Sequence, residues 1–164
     1  MARSRSVGAV LLDAVRQLLR SRTSTSPTRA PGRTTGRTIP LGEVDTPEGR
    51  VTLSYGPAAN GSADPGEVVW AWVPYEDDPS QGKDRPLLVI GHLGRDAAAL
   101  ALTTKPHDDR RHHPIGPGPW DREGRPSWVK LDRVIRLAPR GIRREGAVVD
   151  KVSFGAVVRA WRDY

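Results

Sequence analysis

The sequence predicts a mainly β domain, a small and strongly bent antiparallel sheet or barrel with one helix at its end, behind an N-terminal tail. Three observations carry that reading. Short stretches rich in β-branched, aromatic and other apolar residues recur between Glu67 and Leu137, several of them alternating at a period of two. From Asp150 the spacing changes to that of a helix. Gly and Pro supply 17 and 15 of 164 residues while hydrophobic residues reach only 37%, so much of the chain is expected to lie outside a packed core.

The first element is "SVGAVLLDAVRQLLRSR". It sets Val7, Val10, Leu11, Ala14, Val15, Leu18 and Leu19 on one helical stripe, with Arg16 and Arg20 off it. A short amphipathic helix over residues 1–22 is therefore expected. Asp13 and Arg16 interrupt the apolar run, which argues against a signal peptide, and the stretch is too short and too charged to span a bilayer. It reads either as an extension with no role of its own, the preferred reading, or as a weak contact for a membrane surface or a protein partner. Residues 23–63 follow as a disordered or weakly structured linker, because "TSTSPTRAPGRTTGRT" offers almost nothing to bury against the entropy of ordering a chain. Within it, "RVTLSYGP" has the pattern of an edge strand.

The domain proper is expected over residues 64–164. "GEVVWAWVPY" places Val68, Trp70 and Trp72 on one face of a strand and Val69, Ala71 and Val73 on the other. "RPLLVIGHL" gives a second strand, starting at Pro86, where a missing donor is tolerated. "AALALTTK" gives a third, whose alanines leave its strand character to context, and "PSWVKLDRVIRL" a fourth. In "DKVSFGAVVRAWRDY" the apolar residues fall at helical spacing, with Asp150 placed to cap the first turn.

Charge and cysteine usage bound the function classes. The net charge of +7 points to an anionic partner, nucleic acid first. Residues 1–60 hold 9 Lys/Arg against 4 Asp/Glu, a net +5, and residues 61–164 hold 17 against 15, a net +2. The domain is thus only mildly basic. With no cysteine there is neither a disulfide framework nor a thiolate metal site, and a cytoplasmic location is allowed rather than required.

Two strand ends hold the candidate chemistry. Arg85 stands directly before the second strand, and Thr103, Thr104 and Lys105 end the third. Taken alone, Arg85 reads as a solvated residue paired with Asp84, Glu76, Asp77 or Asp78, and the two threonines suit a strand end by propensity. "KPHDDRRHHP" gathers His107, His112 and His113 beside Asp108 and Asp109, yet no helical or strand repeat presents them together, so a polar substrate loop is expected rather than a preformed metal site. Trp120, in "IGPGPWDREGRPS", has little core around it in sequence and is expected to stack on bases.

Taken in order, "PGEVVWAWVPY", "GKDRPLLVI", "TTK" and "SWVKLDRVIRL" with a closing helix resemble the MazF/PemK family of toxin ribonucleases from bacterial toxin-antitoxin systems. The resemblance implies an SH3-like barrel, usually homodimeric, that cuts single-stranded RNA without metal or cofactor and is neutralised by an antitoxin protein. It implies catalytic roles for Arg85 and Thr103, with Thr104 beside them. A guanidinium fork suits the phosphoryl oxygens of a transesterification, and a hydroxyl can orient one of them. Lys83, Lys105, Arg110, Arg111 and Trp120 are expected to contact RNA from the flanking loops, with His107 and His113 as reserve acid-base groups. In many members a glycine stands two residues before the arginine; here Lys83 stands there and Gly82 one earlier. Two other function classes fit the same residues: a catalytically silent SH3-like module that binds nucleic acid or protein, and a peripheral membrane or regulatory protein working through residues 1–22.

Overall fold

The computed structural model describes residues 38–58 and 60–164. The amphipathic helix expected over residues 1–22 and residues 23–37 of the expected linker lie outside the described residues. Eight strands follow in order: β1 (Ile39–Thr46), β2 (Gly49–Tyr55), β3 (Glu67–Pro74), β4 (Gly82–Leu93), β5 (Asp96–Thr103), β6 (His112–Gly116), β7 (Ser127–Leu137) and β8 (Arg143–Val148). One helix, α1 (Lys151–Arg162), closes the chain. All pairings are antiparallel.

The sheet is built around β4, whose apolar residues run in unbroken sequence and are covered on both faces. Leu87, Leu88, Val89 and Ile90 are all fully buried. Leu88 and Ile90 join a cluster with Val51, Leu100 and Phe154, and Leu87 and Val89 join another with Val69, Ala99 and Ile135. One edge of β4 is shared, with Gly82–Leu88 paired to β3 and Gly91–His92 paired to β2, and the other edge pairs with β5. A bulge between Val89 and Gly91 interrupts the β4–β5 ladder, at the point where β4 changes partner on its other edge. Bulges of this kind bend a strand and increase its twist. Gly91 is required at that step, since a Cβ there would collide with the Thr52 carbonyl of β2.

β5 is a strand despite its alanines because both its faces are covered. Ala97, Ala99 and Ala101 point to one apolar cluster, Ala98, Leu100 and Leu102 to the other. The ordered path runs β1-β2-β4-β5-β7-β6, with β3 joined to β4 and β8. No described strand pairing closes this path into a ring, so the expected barrel is an open, folded sheet.

Residues 39–55 depart from the sequence reading. Where a linker with one edge strand was expected, β1 and β2 form a hairpin on the main sheet. Val51 and Leu53 are fully buried and anchor it, and β1 follows by main-chain pairing although its own residues are mostly half-buried or exposed. The loop behind the hairpin is held by Glu67, which is only 5% exposed. Arg144 donates to both oxygens of its carboxylate, at 2.9 Å from Nε and also from Nη2, and to the Ala58 carbonyl at 3.2 Å.

α1 is fixed at its start and along one face. Asp150 caps it, accepting from the backbone N–H groups of Val152 and Ser153 at 2.9 and 3.0 Å. Phe154, Val157 and Val158 enter the core, and the Phe154 ring lies 5.0 Å from that of Tyr55. No helix among the described residues is long and apolar enough to cross a membrane. Replacing Phe154 by Ala is expected to cost ~3–5 kcal/mol of stability in urea unfolding. Asp150→Ala is expected to cost about 1 kcal/mol. A Phe154→Ala loss no larger than the cap's would mean that α1 does not share the core.

Candidate active site

The sequence pattern places Arg85 just before a strand starting at Pro86, whereas β4 begins at Gly82 and Arg85 lies within it, opposite Ala71 of β3. β4 and β5 are antiparallel and pair Leu87 with Ala101, so extending that register by two residues sets Arg85 across from Thr103. Both side chains line one cleft of about 560 Å³, with Lys83, Thr104 and Lys105. The β5–β6 loop adds His107, Asp109 and Arg111, the start of β6 adds His112, and Lys130 and Asp132 come from β7.

Arg85 carries no ion pair among the described residues. Three of the four carboxylates expected to hold it are engaged elsewhere: Asp84 accepts from Arg143 at 2.8 Å, Glu76 pairs with Arg133 at 3.5 Å, and Asp78 accepts from Ser80 and Gln81, each at 2.6 Å. The guanidinium carbon instead lies 6.0 Å from the centroid of the Tyr75 ring. The acidic run from Glu76 belongs with a neighbouring groove of about 220 Å³, which Arg85 also lines, and not with the main cleft.

Thr103 is oriented by its own turn. Its hydroxyl oxygen accepts from the Lys105 backbone N–H at 3.2 Å, leaving the hydroxyl proton available to a ligand in the cleft. Six Lys/Arg and four Asp residues line this cleft. The carboxylates are answered locally: Asp121 by Arg125 at 2.9 Å, Asp132 by Lys130 at 3.9 Å, Asp109 by His112 at 2.6 Å and Asp84 by Arg143. Lys83, Arg85, Lys105 and Arg111 remain without an ion pair among the described residues, which leaves the cleft wall with an excess of positive charge.

Gly82 explains the shifted glycine before the arginine. A Cβ there would stand 2.7 Å from the Trp72 indole nitrogen and 2.6 Å from the Val73 carbonyl, so the indole packs over a position only glycine can fill.

Several expected residues are placed differently. Arg110 and His113 do not line the cleft. His113 lies on β6 opposite Val129, where burial, and secondarily the charge of Arg159, holds its pKa below the usual histidine value. Trp120 lines the cleft but is only 7% exposed, joins the core cluster, and donates its indole N–H to Ser127 Oγ at 3.1 Å. It is a wall and not a free stacking platform, because the Gly/Pro loop folds its ring inward onto the sheet.

The histidine loop also corrects the spacing argument against a gathered cluster. Asp109 Oδ1 accepts from the Arg111 backbone N–H at 2.9 Å, a turn that folds the segment back on itself. His107 and His112 thereby stack, with centroids 3.6 Å apart and planes 6° from parallel. Both Nδ1 atoms face Asp109, at 3.8 Å for His107 and 2.6 Å for His112. Hydrogen bonding from His112 is the main cause holding the Asp109 carboxyl below its ordinary pKa. The legible signal was Asp109 two residues before Arg111, a side chain able to accept from its own backbone and close a turn.

The loop before β7 has a measurable electrostatic signature. Arg125 bonds both oxygens of Asp121 and lowers its pKa to about 2. A carboxylate depressed in the folded state adds stability that is complete above its unfolded value of about 3.9 and is lost as pH falls toward about 2. In Arg125→Ala the Asp121 carboxyl, followed by carbon-detected NMR, is expected to titrate near about 4. An unmoved titration would show that Arg125 is not its partner in solution.

Residues 64–163 match the PemK-like, MazF-like toxins of type II toxin-antitoxin systems. No curated protein matches the chain. The matched segment carries β3 to β8 and α1, and with them every residue of the cleft, while β1 and β2 lie outside it. Since it spans more than half of the 164 residues, the chain belongs to the family of PemK-like, MazF-like toxins of type II toxin-antitoxin systems.

Proposed function

We propose that the protein is a metal-independent, sequence-selective endoribonuclease toxin that cleaves single-stranded RNA within this cleft. The observation that carries the reading is an unpaired Arg85 sharing the cleft with Thr103, whose hydroxyl proton is free to donate.

In the reaction the ribose 2′-oxygen attacks the adjacent phosphorus and the bond to the 5′-oxygen breaks, giving a 2′,3′-cyclic phosphate and a 5′-hydroxyl. The 2′-hydroxyl loses its proton and the departing 5′-oxygen gains one. Arg85 supplies a fork of donors to the phosphoryl oxygens as charge builds on them, and Thr103 donates to one of them and fixes its direction. Arg85 serves as the acid toward the leaving oxygen only in second place, because a guanidinium parts with protons reluctantly. Of the two reserve acid-base groups, only His107 lines the cleft. Lys83, Thr104, Lys105 and Arg111 hold the neighbouring phosphates.

A cognate antitoxin and a second copy of the chain are the protein partners of this reading. Trp72, 61% exposed on β3, supports it by offering an apolar contact surface.

The test is cleavage of a long single-stranded RNA in EDTA with the ends mapped. Cuts at a short recurring sequence with 5′-hydroxyl ends are expected. Arg85→Ala should lower the rate ~10²–10³-fold, as loss of one preorganised donor does. Thr103→Ala should lower it about 10–100-fold, as loss of one hydrogen bond to a charged group does. No cleavage by folded wild type, or full activity in Arg85→Ala, would favour the catalytically silent binding module.

A further inference from the structure

The His107, Asp109 and His112 cluster is not used by the proposed cleavage step beyond a reserve role for His107, yet it is the most concentrated set of metal-ligating groups among the described residues. One donor atom from each residue lies within 4.8 Å of the other two. We propose that these three residues form a binding site for a borderline divalent transition ion, Zn²⁺ before others, on the wall of the cleft.

The donor set selects the ion class. Two imidazoles and one carboxylate suit Zn²⁺, Co²⁺ or Ni²⁺, whereas Mg²⁺ and Ca²⁺ prefer oxygen alone. Zinc bonds of about 2.0–2.2 Å at tetrahedral angles set ligand atoms about 3.3 Å apart. His112 Nδ1 stands 2.6 Å from Asp109 Oδ1 and His107 Nδ1 3.8 Å from Asp109 Oδ2, each within about 0.7 Å of that separation. The ion takes the place of the hydrogen between His112 Nδ1 and Asp109 Oδ1, and the bound imidazole carries its hydrogen on Nε2.

Ring orientation is the one adjustment the site needs. A metal lies in the plane of the imidazole that binds it, and the two rings are parallel, so one must turn for both lone pairs to converge. His107 is the ring free to do so: its side chain is 29% exposed and sits on a loop, while that of His112 is 7% exposed at the start of β6. The torsion that turns an imidazole has a broad minimum.

Three protein ligands leave at least one coordination position for water or another oxygen. Because all three residues line the cleft, that position opens onto the space shared by Arg85 and Thr103. The site is separable from the cleavage reading, since the ion is a ligand of the cleft wall and not a participant in transesterification.

Composition keeps the test clean. The full chain has four histidines and no cysteine. His92 lies near the far end of β4, paired with Ala97 and Thr52, and His113 follows His112 on a strand, where neighbours face opposite ways.

The untagged, metal-stripped full chain is titrated with Co²⁺, read by its visible absorption, and with Zn²⁺, read by calorimetry in two buffers of different ionisation enthalpy. The expected result is saturable binding of one ion per chain and a low-symmetry Co²⁺ spectrum. His107→Ala and Asp109→Asn should each weaken binding at least about tenfold, a first-shell ligand being worth no less than an outer-shell one. His92→Gln should leave it unchanged. Circular dichroism establishes that both ligand variants are folded, and they are preferred to His112→Ala because neither opens a buried position. Failure of folded wild type to bind, or weakening in only one of the two ligand variants or in neither, would overturn the three-ligand site.

Discussion

Everything in this fold depends on β4 having both faces and both edges committed. Its four central residues are fully buried, and three strands hydrogen-bond to it. A slip of one residue would exchange the two apolar clusters and expose neither to water, but it would exchange Leu87 and Val89, facing a shallow alanine-rich cluster, for the larger demands of the cluster under α1. Packing volume as well as polarity therefore fixes register. Register in turn fixes where Arg85 stands, two residues before the buried run begins. A cationic side chain at that place inherits the rigidity of the core without entering it.

The cleft is basic by local accounting and not by global charge. Residues 61–164 carry a net charge of only +2, so little of the chain's excess lies in this domain. What leaves the cleft cationic is that each of its carboxylates has a partner, one of them a cation from outside the cleft. Arg143 answers Asp84 while lying 5.6 Å from the Trp70 ring centroid, and so frees Arg85 from the neighbour most able to neutralise it. Pairings of this kind add little stability at an exposed surface. Their effect on function is larger, since an arginine already bound to a carboxylate has its fork of donors occupied.

The parts of the fold legible in the sequence are those whose side chains report their own burial. β3, β4, β5 and β7 alternate or run apolar, and α1 carries both its stripe and its cap at Asp150. β1, β6 and β8 end the sheet, each pairing along one edge, and "IPLGEVDT", "HHPIG" and "RREGAV" have turn-like compositions with few buried residues. Their backbones are held by neighbours, and nothing in their own pattern announces it. The site divides the same way. Thr103 was legible as a strand end, Arg85 was expected just before a strand that begins three residues earlier, at Gly82, and their shared cleft needed the register. Trp120 misled because its flanking glycines and prolines suggest a loop in solvent, whereas they let the chain turn sharply enough to bury the indole.

This division separates two kinds of precision in the cleft. Arg85 and Thr103 stand on strands whose positions the core dictates, which suits the precise placement that their proposed role needs. Arg111, His107 and Asp109 stand on a loop ordered by short-range bonds, chiefly the Asp109 turn and the His112 contact. Changing that loop alters the outline and charge of the cleft wall without moving β4 against β5. On the proposed reading, contact with the phosphate falls to Arg85 and Thr103, and discrimination between RNA sequences falls to the β5–β6 loop and the loop bearing Trp120. A fold arranged in this way can change the outline of its cleft by exchanging loops while the strand-borne Arg85 and Thr103 stay in register.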